Sequence, residues 1–318
     1  MKIVIPGGTG QVGTILARAF HADGHEIVIL SRHSSDKSDW RIVEWDAENL
    51  GDWTREFEDA DVVINLAGRI VNCRYNAENR RQMMDSRVKS TVAVGKAISQ
   101  AKNPPRLWLQ ASTATIYAHR FDAPNDEING IIGGNEPDAP DKWNFSIEVA
   151  KNWEKAANEF NLPKTRLVLM RSAVTMSPDK GGIFDVMRGL VKKGLGGTAG
   201  DGRQYVSWVH EADFIRSVNW LIEHEEINGA VNIASPNPLP NIVFMRIFRE
   251  ACGTQIGFPA TKLMLEIGAF FMRTETELIL KSRRVIPTKL LESGFVFNFA
   301  DWHEAAEDLC RRSRETNG

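Results

Sequence analysis

A hydrophobic strand that runs into a glycine-rich turn and out again into a helix leaves few folds open to this chain. Ile3-Val4-Ile5 leads through Pro6 to Gly7-Gly8-Thr9-Gly10-Gln11-Val12-Gly13. Val12, Leu16, Ala19 and Phe20 then recur at helical spacing, with Gly24 placed as the stop. Glycines spaced in this way permit a tight turn, a close approach of backbone to a diphosphate, and tight packing of helix on strand. The helix N-terminus adds unpaired N–H groups and partial positive charge. Together these predict a dinucleotide site with Gly7, Thr9, Gly10, Gln11, Val12 and Gly13 along the pyrophosphate.

Strand-length apolar runs follow at 26–30, 42–45, 62–66, 107–111, 166–170 and 230–234. Most are apolar on both faces, and they alternate with helical stripes such as Met84, Val88, Thr91, Val92 and Val149, Trp153, Ala156, Phe160. That pattern indicates a parallel sheet covered by helices on both sides. The expected fold class is therefore α/β, a doubly wound parallel sheet of about seven strands of the Rossmann type, with a small, mostly helical C-terminal subdomain. The nucleotide-binding domain takes residues 1–175 and about 204–235; the smaller one takes 176–203 and 236–318. Residues 118–144, rich in Pro, Gly, Asn and Asp, read as a long surface loop of the kind that serves as a lid.

With 42% hydrophobic and 25% charged residues over 318, the chain has the composition of an ordinary globular protein. A formal net charge of -2 gives no general attraction to nucleic acid or anionic lipid. No apolar stretch reaches the roughly 20 residues that span a bilayer, so neither partner is expected. Cys73, Cys252 and Cys310 show no CxxC spacing, which argues against a disulfide framework or a zinc site. A reducing, cytoplasmic setting is expected, or an organelle reached with a targeting segment not seen here.

The end of the second strand sets cofactor choice. An NAD site would carry an acid there to accept from the ribose 2′-hydroxyl; this chain has Ser31-Arg32-His33. A guanidinium pairs with a 2′-phosphate through charge-assisted hydrogen bonds, so NADP(H) is the expected cofactor. After the third strand, Asp46 is placed either to accept from the adenine amino group or to cap the turn that follows. Asn65-Leu66-Ala67-Gly68 ends the fourth strand, where Leu66, Ala67 and Gly68 would run beside the cofactor.

At these residues the chain resembles the extended short-chain dehydrogenase/reductase superfamily. The glycine spacing, Asn65-Leu66-Ala67-Gly68 and Ser112-Thr113-Ala114-Thr115-Ile116-Tyr117 match in order. More narrowly it is similar to the YfcH-like epimerase family proteins, through Asp85-Ser86-Arg87, Gly202-Arg203-Gln204-Tyr205, Trp208-Val209-His210, Ser235-Pro236-Asn237-Pro238 and Ile286-Pro287-Thr288-Lys289-Leu290-Leu291. The resemblance spans nearly the whole chain. It implies a Rossmann fold with a C-terminal domain of unknown function, NADP(H), and cofactor contacts from Arg87, Ser112 and the residue at Val149. The wider superfamily carries a catalytic Tyr-x-x-x-Lys pair, from which the YfcH-like group departs, and the matching positions here hold Phe145 and Val149. Phenylalanine cannot move a proton, and valine cannot bind a ribose or lower a phenol pKa.

Of what remains, Thr113 matches the superfamily's Ser/Thr and can orient a substrate oxygen, while Tyr117 reads as structural. Arg203 and Gln204 follow a glycine-rich loop that would face substrate, or they are solvated. His210 is either a replacement acid or a residue that fixes its loop, with Asp213 as helix cap. Lys151, two positions past the lost lysine, points elsewhere. Two functions follow: an NADP(H)-dependent, epimerase-like oxidoreductase acting on an unknown small molecule, with a homodimer allowed for, or a non-catalytic NADP(H)-binding redox sensor or regulatory interaction protein.

Overall fold

Seven apolar runs become one parallel sheet in the computed structural model, which describes residues 1–33, 38–137, 139–271 and 274–315. The strands are β1 (Lys2–Pro6), β2 (Glu26–Ser31), β3 (Arg41–Glu44), β4 (Val62–Asn65), β5 (Leu107–Thr113), β6 (Arg166–Ser172), β7 (Val174–Met176), β8 (Tyr205–Val206), β9 (Trp208–His210), β10 (Gly229–Ile233) and β11 (Leu239–Pro240). The helices are α1 (Gln11–Ala22), α2 (Ala77–Gln100), α3 (Asp141–Asn158), α4 (Ile183–Lys192), α5 (Glu211–Glu223), α6 (Asn241–Ala251), α7 (Lys262–Phe271), α8 (Glu277–Leu280), α9 (Thr288–Glu292) and α10 (Trp302–Glu315). The main sheet runs β10-β6-β5-β4-β1-β2-β3, all pairs parallel. Its order reverses between β1 and β4, so the crevice where doubly wound sheets bind ligands opens at the carboxyl ends of those strands.

Strand side chains alternate between two cores. Ile3, Ile5 and Ile29 pack with Leu16 and Phe20 of α1 and with Phe214 and Leu221 of α5; Val4, Val28 and Val63 pack with Val94 and Ile98 of α2. The expected stripe on α2 needs correction. Met84, Val88 and Val92 are only half-buried, and the core face is Met83, Ser90, Thr91, Val94, Ala97 and Ile98. Small residues line it because α2 lies close against the segment after α3: a Cβ at Gly95 would come within 2.4 Å of the Phe160 ring. Across the helix pair, Trp153 Nε1 donates to Thr91 Oγ1 at 3.1 Å.

A third core, with Phe184, Trp208, Phe244, Phe248, Trp302 and Leu309, holds the smaller unit together. Leu290 and Phe295 pack into the sheet core beside α5. Residues 118–144 are not a free lid. Asn125 N donates to Arg284 O at 2.7 Å, Ile286 N donates to Asn125 O at 3.0 Å, and α3 already begins at Asp141. Glu127 accepts from Asn232 N at 2.8 Å, so this segment satisfies the open edge of β10. Asp213 is not the cap of α5. His210 Nδ1 accepts from Ala212 N at 3.1 Å, while the buried Asp213 carboxylate accepts from Asn298 N and Phe299 N at 2.8 Å each. Among the described residues no helix is long and apolar enough to cross a membrane.

Candidate functional site

The glycines of the first turn have separate jobs. Gly7 has φ +75°, and a Cβ there would sit 2.6 Å from Ala67 Cα, so the turn and the end of β4 can touch only without a side chain. At Gly13 a Cβ would meet Gly8 backbone at 2.4 Å, which is the close helix packing the spacing predicted. Gly10 differs: only Gly7 O lies within 4 Å of such a Cβ, at 3.8 Å. It is exposed and caps α1 with no side chain to take up the first helical N–H groups. Gln11 Nε2 is buried against Gly182 with no hydrogen-bond partner. Gly13→Ala is expected to destabilise the fold by about 1–3 kcal/mol by overpacking, whereas Gly10→Ala should leave the melting temperature unchanged and weaken NADPH about tenfold. Thermal melts and NADPH titrations of both variants separate the two roles; equal melting losses would refute the distinction.

Beside the turn, Gly7 N donates to Leu30 O at 2.9 Å and Trp45 N donates to Ser31 O at 3.0 Å, which sets the ends of β2 and β3 next to it. There Arg32, Glu44, Trp45, Asp46 and Asn49 line a concavity of about 460 Å³. Arg32 is exposed and pairs with no carboxylate among the described residues. Asp46 accepts from Glu48 N and Asn49 N, each at 2.8 Å, and from Asn49 Nδ2, so it caps the turn. The Asn49 amide holds its carboxyl below the usual range.

On the other side, Leu66 and Ala67 are packed into the sheet cores and Gly68 is exposed. The Arg87 guanidinium lies against Gly68 and 5.0 Å over the Trp153 ring. It donates to Met83 O at 3.2 Å, and burial pushes its pKa down to about 10. Arg69 Nη1 is buried without a hydrogen-bond partner. Desolvated guanidinium groups without acids are costly alone and favourable once an anion arrives. The donors and cations of this crevice therefore suit a diphosphate with a further phosphate.

Farther along, Thr113 Oγ1 accepts from Thr115 N at 3.2 Å, leaving its own proton to donate. Ser112 is turned away: its hydroxyl donates to Glu154 at 2.6 Å, inside a network in which Arg171 binds both Glu154 oxygens and Tyr117 links Arg171 to Asn232. Phe145 and Val149 form a buried apolar cluster with Met83 and Tyr75, whose ring meets Phe145 edge-on at 5.5 Å. Lys151 is exposed and reaches toward Gly134. Gln204 is also turned inward, donating to Ala199 O at 2.9 Å, so it holds its loop; Arg203 stays exposed, 5.7 Å from the Phe121 ring.

The chain contributes groups here that its sequence did not advertise. Burial and the nearby Glu277 push the Tyr75 phenol up to about 12. Glu275 accepts from Tyr75 N at 2.9 Å and forms an ion pair with Lys142 at 2.5 Å, and Arg283 Nε donates to Thr115 Oγ1 at 3.0 Å. Lys281, only 1% exposed, donates to Thr115 O at 2.7 Å. The mixed charges of residues 275–284 were the available signal. Among the described residues no cluster could hold a metal ion.

The model of the NAD dependent epimerase/dehydratase family matches residues 3–234, and that of a domain of unknown function, DUF1731, matches 260–309. The chain belongs to the NAD dependent epimerase/dehydratase family. An epimerase family protein of Staphylococcus epidermidis is 30% identical over 312 residues, covering 98% of this chain and 99% of the relative. The human epimerase family protein SDR39U1 is 28% identical over 317 residues, covering 97% and 99%. A crystal structure of human SDR39U1 (isoform 2) with NADPH superposes with a TM-score of 0.85 at 27% identity, over 98% of this chain and 99% of that one. UDP-N-acetylglucosamine 4-epimerase from Bacillus cereus shares the fold at a TM-score of 0.72 and 19% identity, over 99% of each chain. The Rossmann sheet and helical C-terminal region inferred from this member's sequence are those of the family structures.

Proposed function

We propose that this family member is an NADP(H)-dependent oxidoreductase or epimerase-like enzyme acting on a small carbonyl or alcohol substrate. The observation that carries the reading is the pair Arg32 and Arg87, guanidinium groups on either side of the glycine turn with no carboxylate partner among the described residues. Gly7, Thr9, Gly10, Gln11, Val12 and Gly13 would line the pyrophosphate, and Arg32 the 2′-phosphate, with Ser31 and Asp46 on the adenosine side. Leu66, Ala67, Gly68, Arg87, Val149 and the backbone of Ser112 would line the rest. That human SDR39U1 crystallised with NADPH supports the choice of cofactor. When bound, the nicotinamide supplies or accepts a hydride.

The chain's own part is orientation and proton donation. Thr113 has a free hydroxyl proton for a substrate oxygen, and Tyr75 adds a phenol that burial keeps protonated. Following NADPH absorbance across aldehydes, ketones and nucleotide sugars tests the reading. Thr113→Ala is expected to lower kcat about tenfold while NADPH affinity stays unchanged. The apolar setting of Phe145 and Val149 favours a second reading, a non-catalytic NADP(H)-binding sensor. Tight NADPH binding without turnover across the panel would decide for it.

A further inference from the structure

Cys252 and Cys310 stand 58 residues apart in sequence, and their sulfurs lie 3.2 Å apart in the small unit. Cys252 caps the C-terminus of α6 and is half-buried; Cys310 is on α10 and fully buried. The two helices are already docked, since Phe244 stacks on Trp302 at 4.1 Å and Trp302 Nε1 donates to Phe244 O at 3.0 Å. We propose that Cys252 and Cys310 form an oxidisable dithiol whose product is an intrachain disulfide joining α6 to α10, with a hydroperoxide as the oxidant.

Sulfur separation in a disulfide is about 2 Å, so bond formation needs an approach of about 1 Å between side chains whose backbones are held in place. The two thiols also differ in a way that assigns their roles. The two sulfurs are within hydrogen-bond distance, and with Arg188, Lys192 and Arg314 near Cys252 the pair favours Cys252 as the thiolate and Cys310 as the thiol that keeps the proton. The Arg188 guanidinium is itself paired with Asp185 at 3.3 Å, so it contributes at Cys252 as one of three neighbouring cations rather than as a dedicated partner. Cys252 is the more accessible of the two as well as the better nucleophile.

In the first step the Cys252 thiolate attacks the distal peroxide oxygen. A sulfur–oxygen bond forms, the oxygen–oxygen bond breaks, and the departing alkoxide or hydroxide takes a proton from water, leaving Cys252 a sulfenic acid. In the second, the Cys310 sulfur attacks the Cys252 sulfur, its proton leaves with the hydroxyl as water, and the disulfide forms. Two thiols are oxidised by two electrons and one hydroperoxide is reduced to an alcohol, or to water. Cys73, alone and distant in sequence, has no second thiol to resolve such an intermediate.

The test uses the full chain, reduced, freed of reductant and exposed to a small excess of hydrogen peroxide. Thiols titrated after denaturation are expected to fall from three to one, with an intact mass lower by about 2 Da and a peptide linking Cys252 to Cys310. The pair should be consumed at least about tenfold faster than Cys73. Cys310→Ser should accumulate a dimedone-reactive sulfenic acid at Cys252, and Cys252→Ser should slow the loss to the Cys73 rate. Three surviving thiols, an intermolecular link through Cys73, or a Cys310→Ser protein that still loses two thiols per chain would each overturn the proposal. Because no nucleotide enters the assay, its result is independent of the NADP(H) reading.

Discussion

Replacing Arg32 with alanine is expected to weaken NADPH about tenfold to hundredfold and to change NADH by less than about threefold. The estimate follows from a charge-assisted pair of guanidinium and phosphate, worth roughly 1.5–3 kcal/mol, and from tenfold in affinity per 1.4 kcal/mol. Arg32 follows the end of β2, where its side chain is exposed and forms no ion pair among the described residues. Among the described residues no ion pair has to break before it meets a phosphate, so the interaction appears in binding. Exposure also means screening: the parent's NADPH affinity should fall with salt more steeply than that of the variant. Arg32→Lys should recover part of the loss, because an ammonium keeps the charge but not the two-pronged geometry. Calorimetric titrations with both nucleotides are the measurement. If the two lose affinity equally, Arg32 does not read the 2′-phosphate.

The place of Arg32 just past β2 was legible because its signal is local, a strand end a few residues long, and the same holds for the place of the glycine turn between β1 and α1. All seven strands of the sheet could be read because a parallel strand covered on both faces is a nearly continuous apolar run. The errors arose where a long-range partner outbid a local preference. Aspartate is an ordinary helix cap, yet Asp213 is claimed by two amides more than 80 residues away, and His210 takes the cap instead. On α2 the buried face mixes Met83, Val94 and Ile98 with Ser90, Thr91, Ala93, Gly95 and Ala97, and the small members blur the hydropathy stripe because close approach of the chain after α3 selects for small side chains there. Residues 118–144 look like a free loop by composition, but the edge of β10 needs partners and Glu127 supplies one. The groups around Tyr75 come from contacts such as Tyr75 with Glu275, 200 residues apart, that no spacing rule reveals.

Lys281 is the most consequential of those unadvertised groups for stability. It donates to a single backbone oxygen, forms no ion pair among the described residues, and burial with Arg283 nearby pushes its pKa from 10.5 to about 7. An unfolded chain holds this proton up to about pH 10.5, while the folded one releases it near pH 7. Across that window the unfolded state binds more protons, so stability rises with pH. The cost of the buried charge is absent above pH 10.5, grows as pH falls, and is complete below 7. Lys281→Met is therefore expected to be more stable than the parent at pH 7, by on the order of 2–4 kcal/mol, since one pKa unit corresponds to about 1.4 kcal/mol. That advantage should shrink to nothing or reverse near pH 10, where the parent keeps its hydrogen bond to Thr115 and the variant has none. Denaturant unfolding of both proteins from pH 7 to pH 10 reads the difference directly. A difference that stays constant across the window would mean that the folded protein keeps Lys281 charged, and that an acceptor other than Thr115 O stabilises it.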